Sequence, residues 1–121
     1  MAVTLYHNPQ CSKCRAALEL LRARGEEPRI VEYLKTPPDQ ATLTNILTLL
    51  GMEPRQLMRT GEAVYKENNL HNPDLTREEL IAAMVKHPKL IERPIAVTEK
   101  GAVLGRPPEK VLEVLSSPDG R

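Results

Sequence analysis

Two cysteines placed three residues apart, just after a short apolar run and just before an amphipathic one, constrain this chain more than any other feature. Val3 to Tyr6 has the apolar content of a short buried strand, and His7-Asn8-Pro9 closes it, because a proline pushes the residue before it out of helical geometry. From Cys11 or Ser12 to about Arg24, Ala17, Leu18, Leu20 and Leu21 form an apolar helical stripe that Gly25 stops. Cys11 therefore falls at a helix N-terminus. Arg29 to Leu34 is a second strand, apolar at Ile30, Val31 and Leu34 and broken by Thr36-Pro37-Pro38-Asp39. The result is a strand, helix, strand unit of the parallel type.

Residues 39 to 88 change to helical patterning: Asp39 to Leu50 ended by Gly51, Glu53 to Met58, Gly61 to Asn68, and Thr76 to Lys86 with the capping-box start Thr76-Arg77-Glu78-Glu79. Ile95 to Val97 and Ala102 to Leu104 then flank Thr98-Glu99-Lys100-Gly101, a hairpin signal. Pro107 and Pro108 open a last helix, Glu109 to Leu115, and residues 116–121 are expected to be a disordered tail. This order predicts an α/β chain with a thioredoxin-like fold: a four-stranded mixed sheet carrying an enlarged helical insert at about 39–88, all within a single domain over 1–115.

Composition narrows the functions. The 121 residues carry 17 Lys plus Arg against 16 Asp plus Glu, so a net charge of +1 supplies no field to draw in nucleic acid or anionic lipid. With no Phe, no Trp and three Tyr, no aromatic platform for stacking bases is available. No apolar run approaches the roughly 20 residues that span a bilayer, and Met1 to Tyr6 lacks the features of a signal peptide. A cytoplasmic monomer with no nucleic-acid or membrane partner is the expectation. In that compartment a Cys-x-x-Cys pair points to redox chemistry rather than a structural bridge. His7, His71 and His87 offer no second ligand pair for zinc, so no metal is expected.

The segment His7-Asn8-Pro9-Gln10-Cys11-Ser12-Lys13-Cys14-Arg15 resembles the active-site loop of the glutaredoxin-linked arsenate reductases. The resemblance continues through Leu57-Met58-Arg59 with Tyr65-Lys66, then Leu90-Ile91-Glu92-Arg93-Pro94-Ile95, then Gly105-Arg106-Pro107-Pro108-Glu109, and covers about Val3 to Leu115. It implies that Cys11 is the nucleophile, that Arg59, Arg93 and Arg106 hold the arsenic oxyanion, and that Pro94 is a cis proline facing the nucleophile. It also implies arsenate or a similar oxyanion as substrate, no bound cofactor, and glutathione with glutaredoxin as reductants. His7 is either an ordinary loop residue or one that orients the loop and tunes the thiolate, as a histidine does in the family.

Elementary chemistry agrees with these roles. A free thiol, with a pKa of about 8.5, is mostly protonated at neutral pH, so a nucleophilic cysteine needs its anion stabilised. A helix start offers unpaired N–H groups and a positive dipole end, and Lys13 and Arg15 add charge nearby. Arsenate is itself anionic. A cation at ~4 Å contributes on the order of 4 kcal/mol of gross attraction at an effective dielectric of ~20, so two or three guanidinium groups would offset the repulsion between substrate and thiolate.

Cys14 departs from the family pattern, in which a serine or another non-thiol residue is usual at that position. It could attack a disulfide at Cys11, giving an internal bridge and making thioredoxin a possible reductant, or it could face into the helix and stay inert. Two other functions share this fold and size. One is the Spx-type regulator, which carries a Cys-x-x-Cys switch and binds RNA polymerase; the other is a glutathione-dependent thiol reductase with a different substrate.

Overall fold

A computed structural model of the chain describes residues 2–115, and the expected tail lies outside them. The described residues form two compact units, one from residues 2–36 and 93–115 and the other from residues 37–92.

The first unit contains a four-stranded mixed sheet in the order β2-β1-β3-β4, built from β1 (Thr4–His7), β2 (Arg29–Glu32), β3 (Ile95–Thr98) and β4 (Gly101–Leu104). β1 runs parallel to β2 and antiparallel to β3, which is the arrangement the strand, helix, strand unit and the hairpin require. Helix α1 (Ser12–Ala23) and a 3-10 helix, Pro108–Val114, pack against each other, and the 3-10 helix also packs on β3 and β4. Leu5 of β1, Ala17 and Leu21 of α1, Ala96 of β3 and Val111 of the 3-10 helix are fully buried in one core.

Several elements of this unit differ from the sequence expectation. His7 is the last residue of β1 rather than the start of a loop, because the constraint of Pro9 falls on Asn8 and leaves His7 free to pair with Glu32. β2 ends at Glu32, two residues early, because the amides of Lys35 and Thr36 both turn back onto the Glu32 carbonyl at 2.9 Å. The last helix is 3-10 rather than α: a three-residue repeat puts Val111 and Val114 on one buried face.

The second unit is helical, with α2 (Gln40–Leu50), α3 (Pro54–Leu57), α4 (Ala63–Glu67) and α5 (Arg77–Lys86), followed by a 3-10 turn, Pro88–Leu90. α2 and α3 pack on α5, burying Leu43 and Leu47 of α2, Leu57 of α3, and Ile81 and Met84 of α5. Gly51 ends α2 at φ 68°, a left-handed conformation that a side chain would strain. No helix among the described residues is long and apolar enough to cross a membrane.

Candidate active site

The site is built at element ends in the sheet unit. Cys11 is the N-cap of α1, with extended backbone (φ −94°, ψ 123°) and no side-chain cap, and no acidic residue stands in the first turn. The loop that delivers it is fixed locally. The Asn8 side-chain oxygen accepts from the Gln10 amide at 3.0 Å, the Cys11 amide donates to the Asn8 carbonyl at 3.0 Å, and Arg15 Nη1 donates to the Pro9 carbonyl at 2.9 Å. Arg15, expected only to add charge, thus also clamps the loop from one helical turn inside α1.

Both thiols are free. Cys11 is 8% exposed and Cys14 is fully buried. Burial alone would push the Cys11 thiol up; the backbone N–H of Cys14, the Cys14 thiol, the Arg93 charge and the backbone N–H of Lys13 together outweigh it and hold Cys11 below its ordinary value. Cys14 moves the opposite way, to about 12, chiefly through burial; the Asn8 N–H and Arg93 oppose the rise, while its hydrogen bond to Cys11 and the Cys11 charge add to it. One helix start therefore carries two thiols of different character: an anion-prone, slightly exposed sulfur and a fully buried, protonated sulfur that hydrogen-bonds the first.

Arg93 and Arg106 arrive on the strands of the hairpin, just before β3 and just after β4. Arg106 Nε donates to the Arg93 carbonyl at 2.8 Å, and the Gly105 amide donates to the Pro94 carbonyl at 2.8 Å, so the two guanidinium-bearing segments are tied to each other. The Arg93–Pro94 and Arg106–Pro107 peptide bonds are both cis. Gly105 is needed for space: a Cβ there would lie 2.8 Å from Pro94 Cγ and 2.9 Å from Val111 Cγ1. Sequence reasoning did not single out Gly105, and its only trace there is a glycine directly before Arg106-Pro107.

His7 is 5% exposed, and its Nδ1 has no hydrogen-bond partner among the described residues. Its pKa is lowered, first by burial and further by Arg22 and Arg15, against the opposing pull of Glu32. It is therefore a buried, neutral imidazole at a strand end. A cavity of about 190 Å³ opens along the same loop, lined by His7, Asn8, Pro9, Gln10, Glu32, Leu34 and Lys35.

Arg59 belongs to the helical unit. Its guanidinium pairs with Glu62 at 3.3 Å and Glu92 at 3.8 Å, and its amide donates to the Leu90 carbonyl at 2.7 Å, beside a bridge between Met58 and Ile91. Among the described residues no group of three or more His, Cys, Asp or Glu side chains is arranged to hold a metal.

The sheet order, with a cysteine at the start of the first helix, defines a thioredoxin-like protein. The ArsC family model matches residues 6–114. An arsenate reductase of Haemophilus influenzae is 47% identical over 116 residues, covering 95% of this chain and 100% of that one. The Escherichia coli protein YfgD, described only as uncharacterized, is 54% identical over 114 residues, covering 93% of this chain and 96% of that one. Among solved structures, an arsenate reductase from Vibrio cholerae superposes with a TM-score of 0.92 at 49% identity, covering 95% of this chain and 98% of that one. The chain belongs to the ArsC family.

Proposed function

We propose that the chain is a thiol-dependent arsenate reductase, converting arsenate to arsenite with Cys11 as the nucleophile. The observation that carries the proposal is the Cys11 sulfur, at the N-cap of α1, held below its ordinary pKa by two backbone amides, a neighbouring thiol and Arg93. Relatives that bear the name arsenate reductase support the choice of oxyanion.

In this mechanism the Cys11 thiolate displaces one oxygen of arsenate, which leaves as water, and forms an S–As(V) bond. Glutathione then attacks the Cys11 sulfur; the S–As electron pair stays on arsenic, which departs as As(III), and Cys11 is left in a mixed disulfide. Glutaredoxin reduces that disulfide. Cys14 offers a second exit: its sulfur attacks Cys11, glutathione leaves as the thiol, and the internal Cys11–Cys14 bridge becomes a substrate for thioredoxin or glutaredoxin. Arg93 and Arg106 supply forked cationic donors for the oxyanion. The part of Arg59 in that set rests on the family pattern. His7 and Arg15 act through the loop. The electrons come from thiols, so the proposal takes no bound cofactor. It treats residues 1–115 as one cytoplasmic, monomeric domain.

The Spx-type regulator is the second reading, and the hydrogen-bonded Cys-x-x-Cys thiols are the observation that favours it. NADPH oxidation coupled through glutathione reductase, glutathione and glutaredoxin separates the two. The proposal expects arsenate-dependent oxidation; its absence at every reductant tried contradicts the arsenate reductase and leaves the regulator or a thiol reductase with another substrate.

A further inference from the structure

We propose that Cys11 and Cys14 together form a binding site for trivalent arsenic, the oxidation state that arsenate reduction would release. The inference deepens the reading of Cys11 as the reducing thiol, but the binding it describes needs no arsenate turnover.

Both cysteines are free, and their sulfurs hydrogen-bond to each other across the first turn of α1. A group bonded to Cys11 therefore stands beside the Cys14 sulfur. Thiolates are soft ligands that select soft centres, and trivalent arsenic exchanges its oxygen ligands for sulfur without changing oxidation state. With arsenous acid, two S–As bonds form and two As–O bonds break. The two thiol protons leave with the displaced hydroxyl groups as two waters, and arsenic keeps one hydroxyl. No oxidant or reductant is involved.

The order of addition follows from the environments of the two sulfurs. Cys11, the more exposed of the two and inclined to ionise, bonds arsenic first. Cys14, fully buried and protonated, then passes its proton directly to the departing hydroxyl on the neighbouring arsenic. A serine at position 14 would leave a single S–As bond, which any monothiol can exchange. The second bond here is intramolecular, and such linkage raises affinity by about 10²- to 10⁴-fold. The residue that departs from the family pattern thus makes the chain retain trivalent arsenic.

The test titrates the reduced full-length protein with phenylarsine oxide, scoring intact mass and, after the complex is unfolded in urea, the number of thiols still open to iodoacetamide, because in the folded protein Cys14 is closed to that reagent with or without arsenic. Wild type is expected to bind one arsenical per chain with both thiols blocked, to survive excess 2-mercaptoethanol, and to release it to a dithiol. Cys14→Ser and Cys14→Ala are each expected to bind about a hundred-fold more weakly and to be stripped by 2-mercaptoethanol. One thiol left open in the wild-type complex overturns the proposal without reference to any variant. Equal affinity and equal stripping in wild type and both variants also overturn it. Two-thiol binding by a chain that fails the coupled arsenate assay leaves the dithiol site standing and removes the reductase reading. Arsenate turnover with one-thiol binding removes the dithiol site alone.

Discussion

Asp39 and Thr76 finish the starts of α2 and α5 with side-chain oxygens, accepting from Thr42 at 2.8 Å and Glu79 at 3.1 Å, whereas Cys11 at the start of α1 offers a sulfur and no oxygen. The helical unit closes its polar accounts internally: Glu53 and Gln56 box the start of α3, Arg77 pairs with Glu53 at 3.1 Å, and Arg59 pairs with Glu62 and Glu92. In the sheet unit the backbone amides of Lys13 and Cys14 turn to a sulfur, and no carboxylate stands in that helix turn. A helix start without an oxygen cap lacks a contact worth about 1 kcal/mol. What it gains is an anion site whose occupant is a thiolate.

The largest test of this contrast is Cys11→Ser. A serine hydroxyl is far too weakly acidic to present an anion near neutral pH, so arsenate reduction in the coupled assay should disappear. Retained turnover would place the chemistry elsewhere. Next come the cations. Arg93→Ala and Arg106→Ala should each lower kcat/KM tenfold or more, since a charge-assisted contact is worth roughly 1.5–3 kcal/mol, and lysine should rescue only part of it. Arg59→Ala is expected to behave likewise, and wild-type kinetics would remove Arg59 from the oxyanion set.

Two smaller effects sharpen the comparison. Gly105→Ala would force a methyl group against Pro94 and Val111, and should cost about 1–3 kcal/mol in thermal or urea unfolding, together with a loss of activity because Pro94 follows Arg93. An unchanged melting curve would show that the packing there gives way freely. Thr76→Ala should cost about 1 kcal/mol of stability by removing a helix cap, with kcat/KM unchanged. A fall in kcat/KM would mean that the helical unit's caps matter to the chemistry.

The strand, helix, strand unit and the hairpin were legible because apolar runs there are short and punctuated by Gly and Pro. The capping box at Thr76 marked α5 for the same reason: the motif is local. What sequence could not supply was anything that depends on distant residues meeting. Arg106 bonds the Arg93 carbonyl across the hairpin, Gly105 is small because Pro94 and Val111 lie against it, and His7 is buried at the end of β1. The opposite displacements of the two thiols belong to this group as well. Spacing put Cys11 and Cys14 on one helical turn, but their difference comes from burial and from which amides face which sulfur.

That difference is the centre of the account, and the rate of Cys11 alkylation by iodoacetamide against pH measures it most directly. A lowered pKa means that the thiolate fraction, and with it the rate, reaches half its maximum at a lower pH than for a free cysteine. Peptide mapping of the reduced wild-type protein should therefore show Cys11 modified with a midpoint below the ordinary thiol value of about 8.5, while Cys14 stays unmodified throughout that range. A Cys11 midpoint at or above the ordinary value, or Cys14 reacting as readily as Cys11, would contradict the account.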